Sequence, residues 1–362
     1  MHIPFLSYRI SRLVRPLILL FMIAIIPSAM AADSVSISAT KMLKQPDPWF
    51  STDEGRQAVD NIISHQLKSG GWDKGYDSSK AFGPPETPKS DGQSAWAGIG
   101  TIDNDITHTE LALLARVYVL TKRDNVKESF NHGIDFLLDA QYPNGGWPQR
   151  FPLHDNYGKN ITFNDNAMTN VVMLFHEISE KQSPYEWVDA DRRSKIAASY
   201  ARGVDCILKC QVISNGKLSV WAQQHDPVTL KPAGGRAYEL PGLSGAESST
   251  ILKYLMTLDN PSPEIQRAVH AGAKWYDDSK ISGKKLTRKT GELNDDATAG
   301  PLWARFYELD TNRPFFCGRD GVKKYALTEV EPERIKGYSW YSTHGNTVRQ
   351  HYEKWAKKYP VK

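Results

Sequence analysis

The chain has 362 residues, with 45 lysines and arginines against 41 acids and a formal net charge of +4. Hydrophobic residues make up 40%, charged residues 24% and aromatics 10%, a globular composition that excludes disordered, collagen-like and coiled-coil readings. Residues 1–31 hold three arginines and no acid, and without them the balance is 42 against 41, so bulk charge does not argue for a polyanionic partner.

In chain order, the first element is a leader. Arg9, Arg12 and Arg15 precede the apolar run Leu17–Ile26, Pro27 ends it, and Ala29-Met30-Ala31 reads as a small-x-small cleavage site. This is the layout of a secretory signal peptide cut near Ala31-Ala32, leaving 32–362 as a single domain secreted or held in the periplasm. The run is shorter than the roughly 20 residues of a spanning helix, so no membrane partner is expected.

Three helical stretches then end alike: Val59–Gln66, Ile134–Gln141 and Val204–Gln211, with closing glutamines 75 and 70 residues apart. The first two run on into Gly-Gly-Trp at Trp72 and Trp147, the third to Gly216 and Trp221. Val269–Asp278 is a weaker fourth copy without the glutamine. Ser51 with Glu54 three residues on reads as a capping box that opens the first helix. Between the copies, Thr107–Thr121, Asn166–Glu180, Gly245–Leu258 and Ala299–Leu309 carry apolar residues at helical spacing, and period-2 strand patterns are scarce. The chain therefore reads as helix pairs repeating about every 70 residues, each needing its neighbours to bury a flank. Function then falls to the loops, above all the long loop Lys74–Ile102.

Cys206 and Cys210 lie four apart on one predicted helix and favour buried small side chains over a strained bridge, and with Cys317 the odd count leaves one thiol unpaired.

The starts of the second helices hold a further repeat: Asp103-Asn-Asp-Ile-Thr107, Asn164-Asp-Asn-Ala-Met-Thr169 and Asn294-Asp-Asp-Ala-Thr298. Helix capping explains one residue of each. Several carboxylates and amide oxygens at one rim also form a hard-oxygen set suited to calcium or magnesium. Gly234–Gly245 is glycine-rich and precedes a helix, so Arg236 within it either reaches a ligand carboxylate or closes a surface turn with Glu239. Trp303–Asp320 places Arg305, Arg313 and Arg319 among aromatics, which suits an anionic sugar or ordinary packing with surface ion pairs. Trp72 and Trp147 read as core. Among these residues there is no phosphate loop, no dinucleotide fingerprint and no basic run for nucleic acid.

Through Gly145–Pro152, Ile161–Thr169, Gly235–Ser248 and Trp303–Tyr341, the sequence resembles the family 10 polysaccharide lyases, calcium-dependent bacterial pectate lyases, from about Trp49 to the C-terminus. The resemblance implies an all-α (α/α)₃ toroid of helical hairpins with long functional loops at one rim. It implies Arg236 as catalytic base, Asp103 and Asp165 around a catalytic Ca²⁺, and Asn104, Arg305 and Arg319 as substrate-binding residues. The implied reaction is β-elimination in α-1,4-polygalacturonate by a monomer. Two alternatives remain at this point. A glycoside hydrolase would use Asp103, Asp165 or Glu247 as acid and base, which the surplus of arginines disfavours. A non-catalytic uronate or calcium binder would bind without turnover.

Overall fold

The computed structural model describes residues 37–81 and 98–361. The predicted signal peptide and much of the predicted loop Lys74–Ile102 lie outside the described residues. The helices are α1 (Ala39–Met42), α2 (Asp53–Ser64), α3 (His108–Thr121), α4 (Asp124–Ala140), α5 (Ala167–Ser179), α6 (Ala190–Cys210), α7 (Glu247–Leu255), α8 (Pro263–Asp278), α9 (Pro332–Gly337) and α10 (His344–Lys358). No helix among the described residues is long and apolar enough to cross a membrane.

The repeat seen in the sequence has a common physical cause. Gln66 donates to the carbonyls of Gly70 (2.7 Å) and Ser129 (2.9 Å), the latter on α4. Gln141 does the same with Gly145 (3.0 Å) and Ser199 (2.9 Å) on α6, and Gln211 with Ser219 (2.8 Å) and Ala268 (3.0 Å) on α8. Each glutamine thus ties its own turn to the next helix of the row α2, α4, α6, α8. The tryptophans face the other way and are fully buried. Trp72, Trp147 and Trp221 donate Nε1–H to the carbonyls of Ile62 (2.8 Å), Leu137 (2.7 Å) and Ile207 (2.6 Å). Trp303 does so with Tyr276 (2.8 Å), a fourth copy that lacks the glutamine signal. Glycine is required at Gly145, where φ is +92° and a Cβ would meet the Arg202 carbonyl oxygen at 2.0 Å.

The second row is α3, α5, α7 and α10, each packed on the next, while α3 also packs on α4, α5 on α6, and α7 and α10 on α8. Its first two members are strongly apolar, whereas α10 buries only Gly345, Val348 and Trp355. In α5 eight of thirteen residues are buried, from Ala167 to Ile178. Cys206 and Cys210 are buried on one face of α6 with sulfurs 4.0 Å apart, and all three cysteines are free.

Three sequence expectations are corrected. First, the chain is not all-α, and the (α/α)₃ toroid is not what the described residues establish: fifteen short strands run among the helices. They lie in the loops that precede the second-row helices, and three of their pairings join one loop to the next. Gly100–Thr101 pairs with Arg150–Phe151, and Ile161–Thr162 with Gln224–His225. Leu243–Ser244 pairs with Phe306–Tyr307, which also pairs with Pro314–Cys317. Loop backbones packed side by side must satisfy their amides, and strand pairing does so. Second, Ala299–Leu309 is not a helix. It contains the strands Trp303–Ala304 and Phe306–Tyr307, and α10 takes the fourth place in the row, with Gly345 against the Trp303 indole. Third, the helix read as the first is α2, preceded by the short α1, and it starts one residue later than read, with Thr52 as N-cap accepting from the Gly55 amide at 3.1 Å, while Ser51 ends a short 3₁₀ turn.

Candidate active site

Two acidic turns meet at the rim formed by these strands. In each turn two successive residues take left-handed backbone: Asn104 (φ 52°) and Asp105 (φ 61°), then Asp165 (φ 49°) and Asn166 (φ 63°). Asn and Asp tolerate this conformation better than other side chains, which accounts for part of the repeated triplet. Capping does not account for it, because the N-cap residues of α3 and α5 are Thr107 and Asn166 and neither makes a side-chain cap bond. The third triplet lies elsewhere. Asn294 and Asp295 are exposed on the hairpin of strands Lys284–Thr287 and Glu292–Asp295, with Asp295 paired to Lys284 at 2.7 Å.

The first two turns are joined through Asn164, whose Nδ2 donates to Asp103 Oδ1 (3.3 Å) and Asp165 Oδ2 (3.1 Å). Asp103 is buried and its other oxygen meets Lys74 Nζ at 3.1 Å. Burial, then the nearby charges of Asp103 and Glu247, push the Asp165 carboxyl above the usual range, with Arg305 opposing them. Gln223 braces the group from below, donating to Asn164 Oδ1 (2.7 Å) and Glu247 Oε1 (3.2 Å). Arg305 is ion-paired with Glu247, both side chains being buried, and reaches Asp165 at 3.8 Å. Its guanidinium lies 4.6 Å from the Tyr338 ring centroid.

Arg236 closes the group from the glycine-rich loop. Its amide donates to Glu239 Oε2 at 3.0 Å and its guanidinium pairs with Glu239 Oε1, so the turn-closing pair is present. Tyr338 donates to the same Oε1 at 2.9 Å. The guanidinium stands 4.9 Å from the Tyr238 ring and 5.8 Å from that of Tyr338. Burial works against its charge, but Glu239 outweighs burial and holds the Arg236 pKa above its ordinary value. Asp165, Arg236, Arg305 and Tyr338 line one open cleft of about 440 Å³.

The remaining predicted residues are less embedded. Asn104 is exposed on the Asp103 turn and has no hydrogen bond among the described residues. Arg319 lies outside the cleft lining, exposed and paired with Glu333 at 2.5 Å, and faces Tyr238 at 5.9 Å. Lys74, Gln223 and Tyr338 were missed by the sequence reading, and Glu247 entered it only as a hydrolytic carboxyl. Their sequence separations from their partners are 24 to 115 residues, and no spacing rule reports such meetings.

Beneath the Asp103 turn, Tyr76 donates to Glu110 Oε1 at 2.8 Å, tying the Lys74 segment to α3. Burial drives the Glu110 carboxyl from 4.5 up to about 7, against the hydrogen bond from Tyr76. Between those pH values the folded state keeps a proton that the unfolded state has lost, so this group's contribution to stability declines as pH rises through the window. Glu110→Gln is expected to be more stable than wild type above pH 7, by up to about 3 kcal/mol, with the gap closing below pH 4.5. Urea midpoints at pH 4 and pH 8 read this, and a gap independent of pH would refute it.

The family model for pectic acid lyase matches residues 66–349. A family 10 polysaccharide lyase from Cellvibrio cellulosa superposes with a TM-score of 0.75 at 32% identity, covering 85% of this chain and 94% of that one. The chain belongs to the family 10 polysaccharide lyases. A mutant of the Cellvibrio lyase in complex with trigalacturonic acid matches at 31% identity and a TM-score of 0.75, over 88% of this chain and 98% of the other. No curated protein sequence matches the chain. The protein is thus a lyase enzyme of the pectate-degrading class, which removes hydrolysis and passive binding as primary readings.

Proposed function

We propose that this lyase cleaves α-1,4-polygalacturonate by calcium-assisted β-elimination, with Arg236 taking the C5 proton and 4,5-unsaturated oligogalacturonides as product. The observation that carries the reading is that Asp165, which lines one cleft with Arg236 and Arg305, is joined through Asn164 to the buried Asp103. The C5 proton is adjacent to a carboxylate, so its removal places enolate-like charge on that group. Arg305, held in place by Glu247 and the Tyr338 ring, is suited to meet that charge, and Arg319 and Asn104 are suited to contact flanking sugars.

The donor set fits calcium. Asp103 and Asp165 present hard oxygens, and their like charge, together with that of Glu247, is in excess at a partly buried spot. No cluster of three or more Asp, Glu, His or Cys groups arranged for a metal occurs among the described residues, so uronate oxygens and water would complete the shell. Bound calcium would supply Lewis-acid stabilisation of the substrate carboxylate. Arg236 can act as base only after losing a proton, which its Glu239 pair resists. The proposal therefore includes loosening of that pair when an anionic sugar enters, as the incoming carboxylate competes for Arg236.

Near-ultraviolet absorbance during incubation with polygalacturonate tests the reading. A rise is expected with calcium, and its abolition is expected with chelator. The rate is expected to climb above pH 8, as the guanidinium deprotonates more readily. Full activity in chelator, or a rate flat from pH 6 to 10, would count against the mechanism.

A further inference from the structure

The cleft that holds Arg236 and Arg305 does not end there. A second open depression of about 490 Å³ shares Leu286, Arg288, Arg305, Ser339 and Tyr341 with it. Its remaining wall comes from Lys284 and Lys285, on the hairpin that carries the displaced third acidic triplet, and from Ala246, residues 299, 300 and 302, and residues 342–344. No acid lines this second depression, whereas Lys284, Lys285, Arg288 and Arg305 do. Their charges are not equally free. Lys284 is neutralised by Asp295 at 2.7 Å, and Lys285 is within the field of Asp296. The Arg288 side chain, at the junction of the two depressions, has no ion pair or hydrogen bond among the described residues, and neither does that of Lys336, which lines the first. Leu286, between the basic side chains, packs on the apolar cluster of Phe306, Phe315 and Trp340, which anchors the hairpin.

An unpaired guanidinium on an anchored hairpin, at the mouth of a depression that no acid lines, suits a repeating carboxylate. We propose that Arg288, with Lys285, forms a distal uronate subsite that engages sugars beyond those at the Asp165–Arg305 centre. The subsite makes the enzyme favour long, unesterified polygalacturonate over short oligomers. This inference rests on the lyase reading above for its substrate class. It concerns no bond-breaking step, only where the chain is held.

The test is the double substitution Lys285→Ala/Arg288→Ala. On polygalacturonate, KM is expected to rise about tenfold with kcat unchanged, the loss of about one charge-assisted contact. On trigalacturonate, kcat/KM is expected to stay within about twofold of wild type. Arg288→Lys should recover part of the polymer KM, and added salt should raise the wild-type KM more steeply than that of the double variant. Equal losses on trimer and polymer, or no loss on either, would overturn the subsite. Affinity electrophoresis through gel-embedded polygalacturonate reads the same site without turnover. Retardation of wild type but not of the double variant supports the subsite, and equal retardation refutes it. If wild type yields no absorbance rise on any substrate, the β-elimination reading fails, and the gel result still decides the subsite.

Discussion

Arg236→Lys is expected to lower kcat on polygalacturonate about a thousandfold while leaving KM within a few fold, the range in which a placed general base acts. The side chain is held by three features at once: its own amide on Glu239 Oε2 at 3.0 Å, its guanidinium on Oε1, and the Tyr238 ring at 4.9 Å. A lysine keeps the charge but not the planar fork, so it can pair with Glu239 without presenting a second nitrogen toward the sugar. Initial rates of absorbance increase measure the effect, and a variant within tenfold of wild type in kcat would remove Arg236 from the role. Glu239→Gln supplies the matching sign. The Glu239 charge favours protonated Arg236, so its removal is expected to shift the alkaline rise of the pH–rate profile to lower pH. A shift in the opposite direction would be incompatible with Arg236 as the base.

Glu247→Ala is expected to cost about 3–5 kcal/mol of stability, because it leaves the Arg305 guanidinium buried without its main partner. Glu247 is 3% exposed and Arg305 9%, so bulk water replaces little of the lost pairing. The remaining carboxylate is Asp165, 3.8 Å from the same Nη2 that pairs with Glu247, whose own support comes from Ser244 and Gln223. Drawing Arg305 toward Asp165 would also satisfy the carboxylate that calcium is proposed to share, so the calcium requirement of the variant is expected to move to higher concentration. Denaturant midpoints measure the first effect and calcium titration of the rate the second. A variant within about 0.5 kcal/mol of wild type would show that the pair does not hold this rim together.

The helical rows were legible because their signals are local. Gln66, Gln141 and Gln211 each bond a carbonyl a few residues on, and Trp72 and Trp147 bond one ten residues back, so the motif recurs at fixed spacing wherever the turn recurs. The same logic misled at Ala299–Leu309. Its apolar residues are spaced as on a helix, yet Trp303 and Phe306 are buried in paired strands of two residues, too short for a period-2 pattern to develop. The third acidic triplet misled in a related way. Asn294-Asp295-Asp296 matches the other two in composition, but only the first two enter left-handed turns at helix starts.

By itself the sequence determined the family and the helix pairs, since long motifs and short-range hydrogen bonding leave a trace in residue order, and it named Asp103, Asp165, Arg236 and Arg305 as candidates. The tertiary structure alone decided which of those residues meet and what holds them. Asn164 joins the two acidic turns, Gln223 reaches Glu247, Tyr338 lies against two arginines, and Arg319 remains at the exposed rim. Those meetings follow from how neighbouring loops pair and stack. Residues far apart in sequence are brought together by packing, and packing imposes no spacing on the chain that a reader of the sequence could find.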